Sequence, residues 1–296
     1  MGVVNVKRKK NKKKHFMIEN VKSEVSYRVV CGDCIPVMSG MVERGEFVDL
    51  TVTSPPYDDL RGYEGTLSWD FGKFKQVADL LYRITRDGGV VVWVVSDQTV
   101  NGNKTLTSFR QALYFQEIGF KFHDNIIYEK NSSSFPQSRK SKRYSDVYEY
   151  CFVLVKGKKI RQDIELLCDK PNKWAGHTNW GKMTSYNKDG VVTGKKDFID
   201  PVPEFSKRNN IWKYNTAVEV DKNRHPAKMP EKLAEDHVLS WSVPGDVVFD
   251  PFNGSGTTGK AALSNGRNYV GVELVPEYVE ITRERFGRYG YSGEIA

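Results

Sequence analysis

Val90–Val95 is an unbroken apolar run, and a strand with no polar face must be covered on both sides, as in a parallel sheet held between helices. The flanking sequence agrees. Phe74–Arg86 sets Phe74, Val77, Leu80, Leu81 and Ile84 at helical spacing, and Asp87-Gly88-Gly89 is expected to end that helix. Thr105–Ile118 repeats the pattern and stops at Gly119. Tyr27–Cys31, Phe47–Thr53, Asp124–Glu129 and Tyr150–Val155 read as strands. From Lys156 to about Asn223 the periodicity fails, and Trp174, Trp180 and Trp212 lie in that stretch, available for base stacking or for a small core. Alternation then resumes. Pro230 at the first helical position opens Glu231–Trp241, Asp246–Phe249 is a strand, Thr258–Asn265 a helix, Tyr269–Glu273 a strand and Pro276–Phe286 a helix. The class is α/β, and such sheets hold ligands at the carboxyl ends of their strands.

A chain of 296 residues with 39% hydrophobic content can bury the core of one large domain with an insertion, or of two modest ones. No apolar run approaches the roughly 20 residues of a membrane helix, and the basic N-terminus lacks the apolar core of a secretion signal. No membrane partner is expected, and the expected location is cytoplasmic. Cys31, Cys34, Cys151 and Cys168 do not make a secreted disulfide framework. Cys31-Gly32-Asp33-Cys34 lacks the second ligand pair that zinc would need, so no metal is expected.

The placement of charge says more than its total. Seven positive charges of the net +8 fall between Lys7 and Lys14, in a residue 1–20 stretch read as a disordered basic arm. Residues 130–161 hold nine Lys and Arg against Asp146 and Glu149, while the other residues after 15 are net acidic. One basic segment on a nearly neutral body fits a phosphate-contacting face, with Arg139, Lys140, Lys142 and Arg143 as its candidates; a solvated loop would have the same composition.

Two motifs carry chemistry. The first to weigh is Asp250-Pro251-Phe252-Asn253-Gly254-Ser255-Gly256-Thr257-Thr258, which follows a strand. Gly254 to Lys260 also fits the spacing of a phosphate-binding loop of a nucleotide hydrolase. Three features oppose that. Ala261 replaces the hydroxyl that would hold Mg²⁺, Asp250 would repel a triphosphate, and no second acidic strand awaits a metal. Glu273, 19 residues past Gly254, stands where an acid takes ribose hydroxyls, and Asp250 can pair with an ammonium group. An adenosine half, a cationic half and no phosphates describe S-adenosylmethionine.

The other motif is Ser54-Pro55-Pro56-Tyr57, also at a strand end. Consecutive prolines fix φ and donate no hydrogen bond, which leaves a stiff corner rich in acceptors. The Ser54 side chain and Pro55 carbonyl could both accept from one amino group, with Tyr57 stacking on the attached ring. A base inside a duplex must flip out to reach such a corner. Methylation at cytosine C5 needs a nucleophilic cysteine after a proline, and none of the four cysteines follows one.

With both motifs in hand, residues 25–290 resemble the DNA amino-methyltransferases in their permuted β arrangement, catalytic motif first and cofactor motif last. Ser54, Pro55, Pro56 and Tyr57 match the catalytic tetrad of that family, and Asp250, Phe252, Gly254, Ser255, Gly256, Thr257 and Thr258 its cofactor motif. His225-Pro226-Ala227-Lys228 resembles an upstream cofactor-contacting motif. Gly32-Asp33 is similar to the acid near the adenine, and Tyr148-Glu149-Tyr150 to the strand before the recognition region. The resemblance implies a Rossmann-like, mostly parallel sheet of about seven strands with helices on both faces. It divides the chain into a catalytic half (21–156), a target-recognition region (157–222) and a cofactor half (223–296). It further implies S-adenosylmethionine as cofactor, duplex DNA as substrate, a homodimer and a cognate restriction endonuclease as partners, and a prokaryotic or phage source (nuclear location if eukaryotic). Ser54, where adenine N6 enzymes usually carry Asp, leans toward cytosine N4. Similar tetrads also serve amino acceptors in RNA and protein side chains, which leaves those substrates as alternatives.

Overall fold

The computed structural model describes residues 25–56, 69–131, 142–178, 183–196, 201–215 and 229–296. The basic arm at residues 1–20, Tyr57, Arg139, Lys140, Trp180, His225 and Pro226 lie outside them.

Nine strands form one sheet: β1 (Ser26–Cys31), β2 (Val48–Thr53), β3 (Thr85–Val95), β4 (Lys121–Lys130), β5 (Tyr148–Val155), β6 (Ile211–Tyr214), β7 (Val247–Asp250), β8 (Asn268–Glu273) and β9 (Ser292–Ile295). Their order is β6-β4-β5-β3-β2-β7-β8-β1-β9. Only β5 runs against its neighbours β3 and β4; every other pairing is parallel. Six helices accompany the sheet: α1 (Cys34–Glu43), α2 (Phe71–Ile84), α3 (Thr107–Glu117), α4 (Glu231–Trp241), α5 (Thr257–Ser264) and α6 (Pro276–Arg288).

Strand alternation divides the core into two layers. Val90, Val92 and Val94 of β3 join the cluster that contains Leu233 and Val238 of α4, Ala262 of α5 and Phe286 of α6. Val91, Trp93 and Val95 join the opposite cluster with Met38 and Met41 of α1, Phe74, Leu81 and Ile84 of α2 and Phe115 of α3. The apolar run in β3 is thus buried on both faces.

Four details differ from expectation. Helix α1 was hidden in sequence by Pro36 and Gly40. Its N-cap Asp33 accepts from the Ile35 N–H at 2.9 Å, and Pro36 falls in the first turn, where a missing N–H costs nothing. Helix α2 ends at Ile84, not at the glycine pair. Thr85 turns extended at once, its hydroxyl donating back to the Leu81 carbonyl at 2.7 Å, and Asp87-Gly88-Gly89 lies inside β3 at a register shift. Pro230 is the N-cap of α4 rather than its first residue. The edge strands β6 and β9 raise the count from about seven to nine; each is four residues long and is fixed by its parallel partner rather than by its own pattern. Trp212 in β6 is buried, its ring 4.7 Å from that of His237 in α4, so it packs the core.

The amino-terminal rim of the parallel strands is clamped by ions. Asp49 at the start of β2 receives Arg86 at 2.9 Å and Arg161 at 3.1 Å, and its other oxygen accepts the Val247 N–H of β7 at 3.0 Å. Arg161 also reaches Asp246 at 2.9 Å. Within the carboxyl-terminal rim, β2 and β7 are adjacent although nearly 200 residues separate them in sequence. Chain connections run outward in opposite directions from this pair, which makes it the switch point where an open sheet leaves a crevice.

Among the described residues, no helix is long and apolar enough to cross a membrane, and no group of three or more His, Cys, Asp or Glu side chains could hold a metal ion.

Candidate active site

The two motifs meet at that crevice. Thr53, the last residue of β2, donates its hydroxyl to Oδ1 of Asp250, the last residue of β7, at 2.6 Å. Ser54 and Pro55 follow Thr53 directly, so the acceptor corner and the cofactor acid leave neighbouring strand ends. Asp250 is 4% exposed and also accepts the Phe252 N–H at 3.0 Å. Burial pushes its carboxyl up to about 7, against hydrogen bonds from Thr53, Phe252 and Thr258 that favour the charged form.

Glu273 ends the next strand, β8. Its two oxygens accept the Gly254 N–H at 2.7 Å and the Val275 N–H at 2.9 Å, and burial raises its pKa despite those bonds. Asp33 follows β1, one strand further, and the Gly32 N–H beside it donates to the Glu273 carbonyl at 2.8 Å. Asp33, Glu273, Asp250 and Ser54 therefore stand in sequence along one rim. Cys34, beneath them, has its thiol raised to about 12 by burial and then by the charges of Asp33, Glu273 and Asp250. It stays protonated and is no nucleophile.

The glycine loop is braced from below by residues the motif did not advertise. Gly254 and Gly256 take φ of +51° and +74°, which a side chain would oppose. Asn253 donates to the Gly254 carbonyl and to Thr282 Oγ1, both at 2.9 Å, and accepts from the Tyr269 hydroxyl at 2.8 Å. Arg285, fully buried, donates to the Ser255 carbonyl at 2.9 Å, to Ser255 Oγ at 3.3 Å and to Thr257 Oγ1 at 3.1 Å, and pairs with Glu231. Thr258 donates to the Val52 carbonyl at 3.1 Å, tying the start of α5 to β2. Phe252 lies edge-on to Trp69 at 5.2 Å and to Trp93 at 6.3 Å, in an apolar wall. Thr53, Asn253, Tyr269 and Arg285 were not singled out from sequence. Asn253 lies inside the quoted motif, whereas the others gain their roles only through the fold.

The phosphate-loop alternative fails here. Lys260, which would have to reach a triphosphate, instead holds Glu231 at 2.7 Å and lies 4.6 Å from the centre of the Tyr289 ring. A Cβ on Gly259 would come 2.4 Å from the Phe286 ring and 2.5 Å from that of Tyr269, so this glycine is needed for close packing. Of the basic candidates, Lys142 and Arg143 are exposed, and Arg143 donates to the Gly102 carbonyl.

The family model for DNA methylases, N6_N4_Mtase, matches residues 48–284, which include both motifs. The chain belongs to the DNA methylase family. This DNA methylase is 49% identical over 249 residues to the orphan methyltransferase M.BamHII of Bacillus amyloliquefaciens, covering 82% of this chain and 89% of that one. It is 27% identical over 300 residues to the type II methyltransferase M.SmaI of Serratia marcescens, covering 89% and 91%. Among solved structures it resembles TTHA0409 of Thermus thermophilus, a DNA modification methylase crystallised with S-adenosyl-L-methionine (TM-score 0.60, 27% identity, 91% and 99% covered). The cytosine-N4-specific PvuII DNA methyltransferase shares the fold of this DNA methylase at 17% identity, with a TM-score of 0.62 and 92% and 95% covered. Membership selects DNA over the RNA and protein acceptors.

Proposed function

We propose that this DNA methylase transfers a methyl group from S-adenosylmethionine to the N4 amino group of a cytosine flipped out of duplex DNA. The observation that carries the reading is the 2.6 Å bond from Thr53 to Asp250, because it places an amino-accepting corner and a cation-seeking acid on adjacent strand ends.

The residues fit the cofactor. Asp250 is a buried carboxyl with no cationic side chain paired to it among the described residues, and a desolvated acid of this kind favours a positively charged ligand. Asp250 would hold the ammonium end, Glu273 the ribose hydroxyls, and Asp33 would face the adenine; Gly254 and Gly256 allow backbone approach. When bound, S-adenosylmethionine supplies an electrophilic methyl. Ser54 Oγ and the Pro55 carbonyl accept from the amino group, which turns its lone pair out of the ring and stabilises the positive charge that develops on nitrogen. Tyr57 stacks on the base. His225 and Pro226 complete the cofactor pocket, Arg139, Lys140, Lys142 and Arg143 contact phosphates, and residues 157–222 read the sequence. The 49%-identical M.BamHII is named an orphan enzyme, and we assign this chain the same standing, without a paired nuclease.

Mass spectrometry of nucleosides from DNA incubated with the protein and S-adenosylmethionine is expected to yield N4-methylcytosine. N6-methyladenine would refute the inference from Ser54, and unmodified DNA would refute the whole proposal. Thr53→Val keeps the side-chain shape and removes one hydrogen bond to Asp250. Cofactor Kd should rise roughly tenfold, the worth of a bond to a charged group, and an unchanged Kd by calorimetry would detach Asp250 from the ligand. DNA affinity should fall steeply with salt, with log–log slope of about −0.9 per phosphate contacted; a flat plot in a binding titration would remove the basic face.

A further inference from the structure

A short hairpin stands beside the catalytic corner and belongs to neither motif. After β3, Thr99–Val100 pairs with Asn103–Lys104 around a tight turn at Asn101-Gly102, where φ is +49° and +76°. Its base is locked twice. The Thr105 N–H donates to the Gln98 carbonyl at 3.1 Å, and Asp97 accepts the Ser108 N–H at 2.9 Å and the Ser108 hydroxyl at 2.7 Å. Between these locks lies Leu106, with φ of +54° and half of its surface exposed.

That combination is unfavourable twice over. The left-handed conformation crowds the Cβ of a bulky L-residue against the backbone, and the exposed side chain recovers little of that cost by burial. Glycine or asparagine would suit the backbone, and a polar residue would suit the surface. Strain held by surrounding braces is characteristic of ligand-contacting positions. The location is specific as well. Leu106 precedes Thr107, which with Arg110 and Gln111 forms one wall of a cleft whose other wall is Trp69, Asp70 and Phe71. Trp69 packs in turn on Phe252 of the cofactor motif. The hairpin carries Lys104 and is tied to Arg143 and Asp146 of the basic segment, by the Arg143 bond to Gly102 and by a 2.6 Å pair between Lys104 and Asp146.

We propose that Leu106 is the wedge that enters the duplex as the target base leaves it. Flipping a base sacrifices its stacking and pairing. An apolar side chain inserted at the vacated step replaces part of that stacking, as leucine and phenylalanine do in proteins that kink DNA. Rigid bracing keeps the wedge extended, so its ordering is not charged to each binding event. The inference rests on the DNA methyltransferase reading, and its test separates the two.

Leu106→Gly relieves the strained backbone, so its melting temperature should equal or exceed that of the wild type. Two synthetic duplexes carrying the site mapped from methylated DNA are compared, one fully paired and one with the target base mispaired. Leu106→Gly should methylate the paired duplex roughly tenfold or more slowly in single turnover, yet keep near wild-type rates on the mispaired one, where unstacking is already cheap. Leu106→Met, which restores apolar bulk, should recover the paired duplex. Equal loss on both duplexes, or no loss on either, would overturn the wedge. A wild-type protein inactive on both would instead overturn the methyltransferase reading beneath it.

Discussion

Asp250→Ala is expected to raise the Kd for S-adenosylmethionine by roughly 100-fold or more, and methyl transfer at ordinary cofactor concentrations should vanish with it. Removing one member of a desolvated charge pair costs about 2–5 kcal/mol. Asp250→Asn keeps the shape and should fail nearly as badly, because the lost quantity is charge. Calorimetry checks both. The pH dependence has a defined sign. With its carboxyl raised to about 7, the empty site is largely protonated under mildly acidic conditions, and the proton competes with a cationic ligand. Affinity should weaken about tenfold per pH unit below 7 and level off above it, and Asp250→Asn should be flat over that range. Stability runs the other way. The folded carboxyl keeps its proton to about 7, whereas the unfolded one releases it near its ordinary value of 3.8. The ligand-free protein therefore loses stability from this group as pH rises through that window.

Ser54→Ala should act on the other side of the crevice. Deleting one preorganised partner for charge that develops in the transition state typically costs about 10²–10³ in kcat. A kcat loss of roughly 100-fold is expected for Ser54→Ala, with the cofactor Kd unchanged and DNA affinity within about twofold. Single-turnover methylation beside binding titrations measures each quantity. A variant with normal kcat would leave the Pro55 carbonyl as the only polarising group.

How far the sequence reached follows from what each feature depends on. Strands β2, β3, β5, β7 and β8 were legible because burial on both faces writes a continuous apolar run, or because a motif marks the end. Helix α1 was not, since a first-turn proline and a central glycine mimic a loop until the Asp33 cap is seen. Edge strands β6 and β9 are too short to show a period. At the site, the charged and hydroxyl-bearing motif residues could be named in advance, but their supports could not. Thr53 looks like any strand threonine until β7 is laid beside β2, and Arg285 like any surface arginine of an amphipathic helix until Ser255 and Thr257 sit above it.

The ion clamp of Asp49, Arg86, Arg161 and Asp246 lies at the rim opposite the chemistry. That separation divides the molecule into a floor that sets how much heat it survives and a rim that sets what it modifies. Engineering for durability belongs to the floor, where a tighter clamp could raise the melting point while leaving turnover and base choice alone.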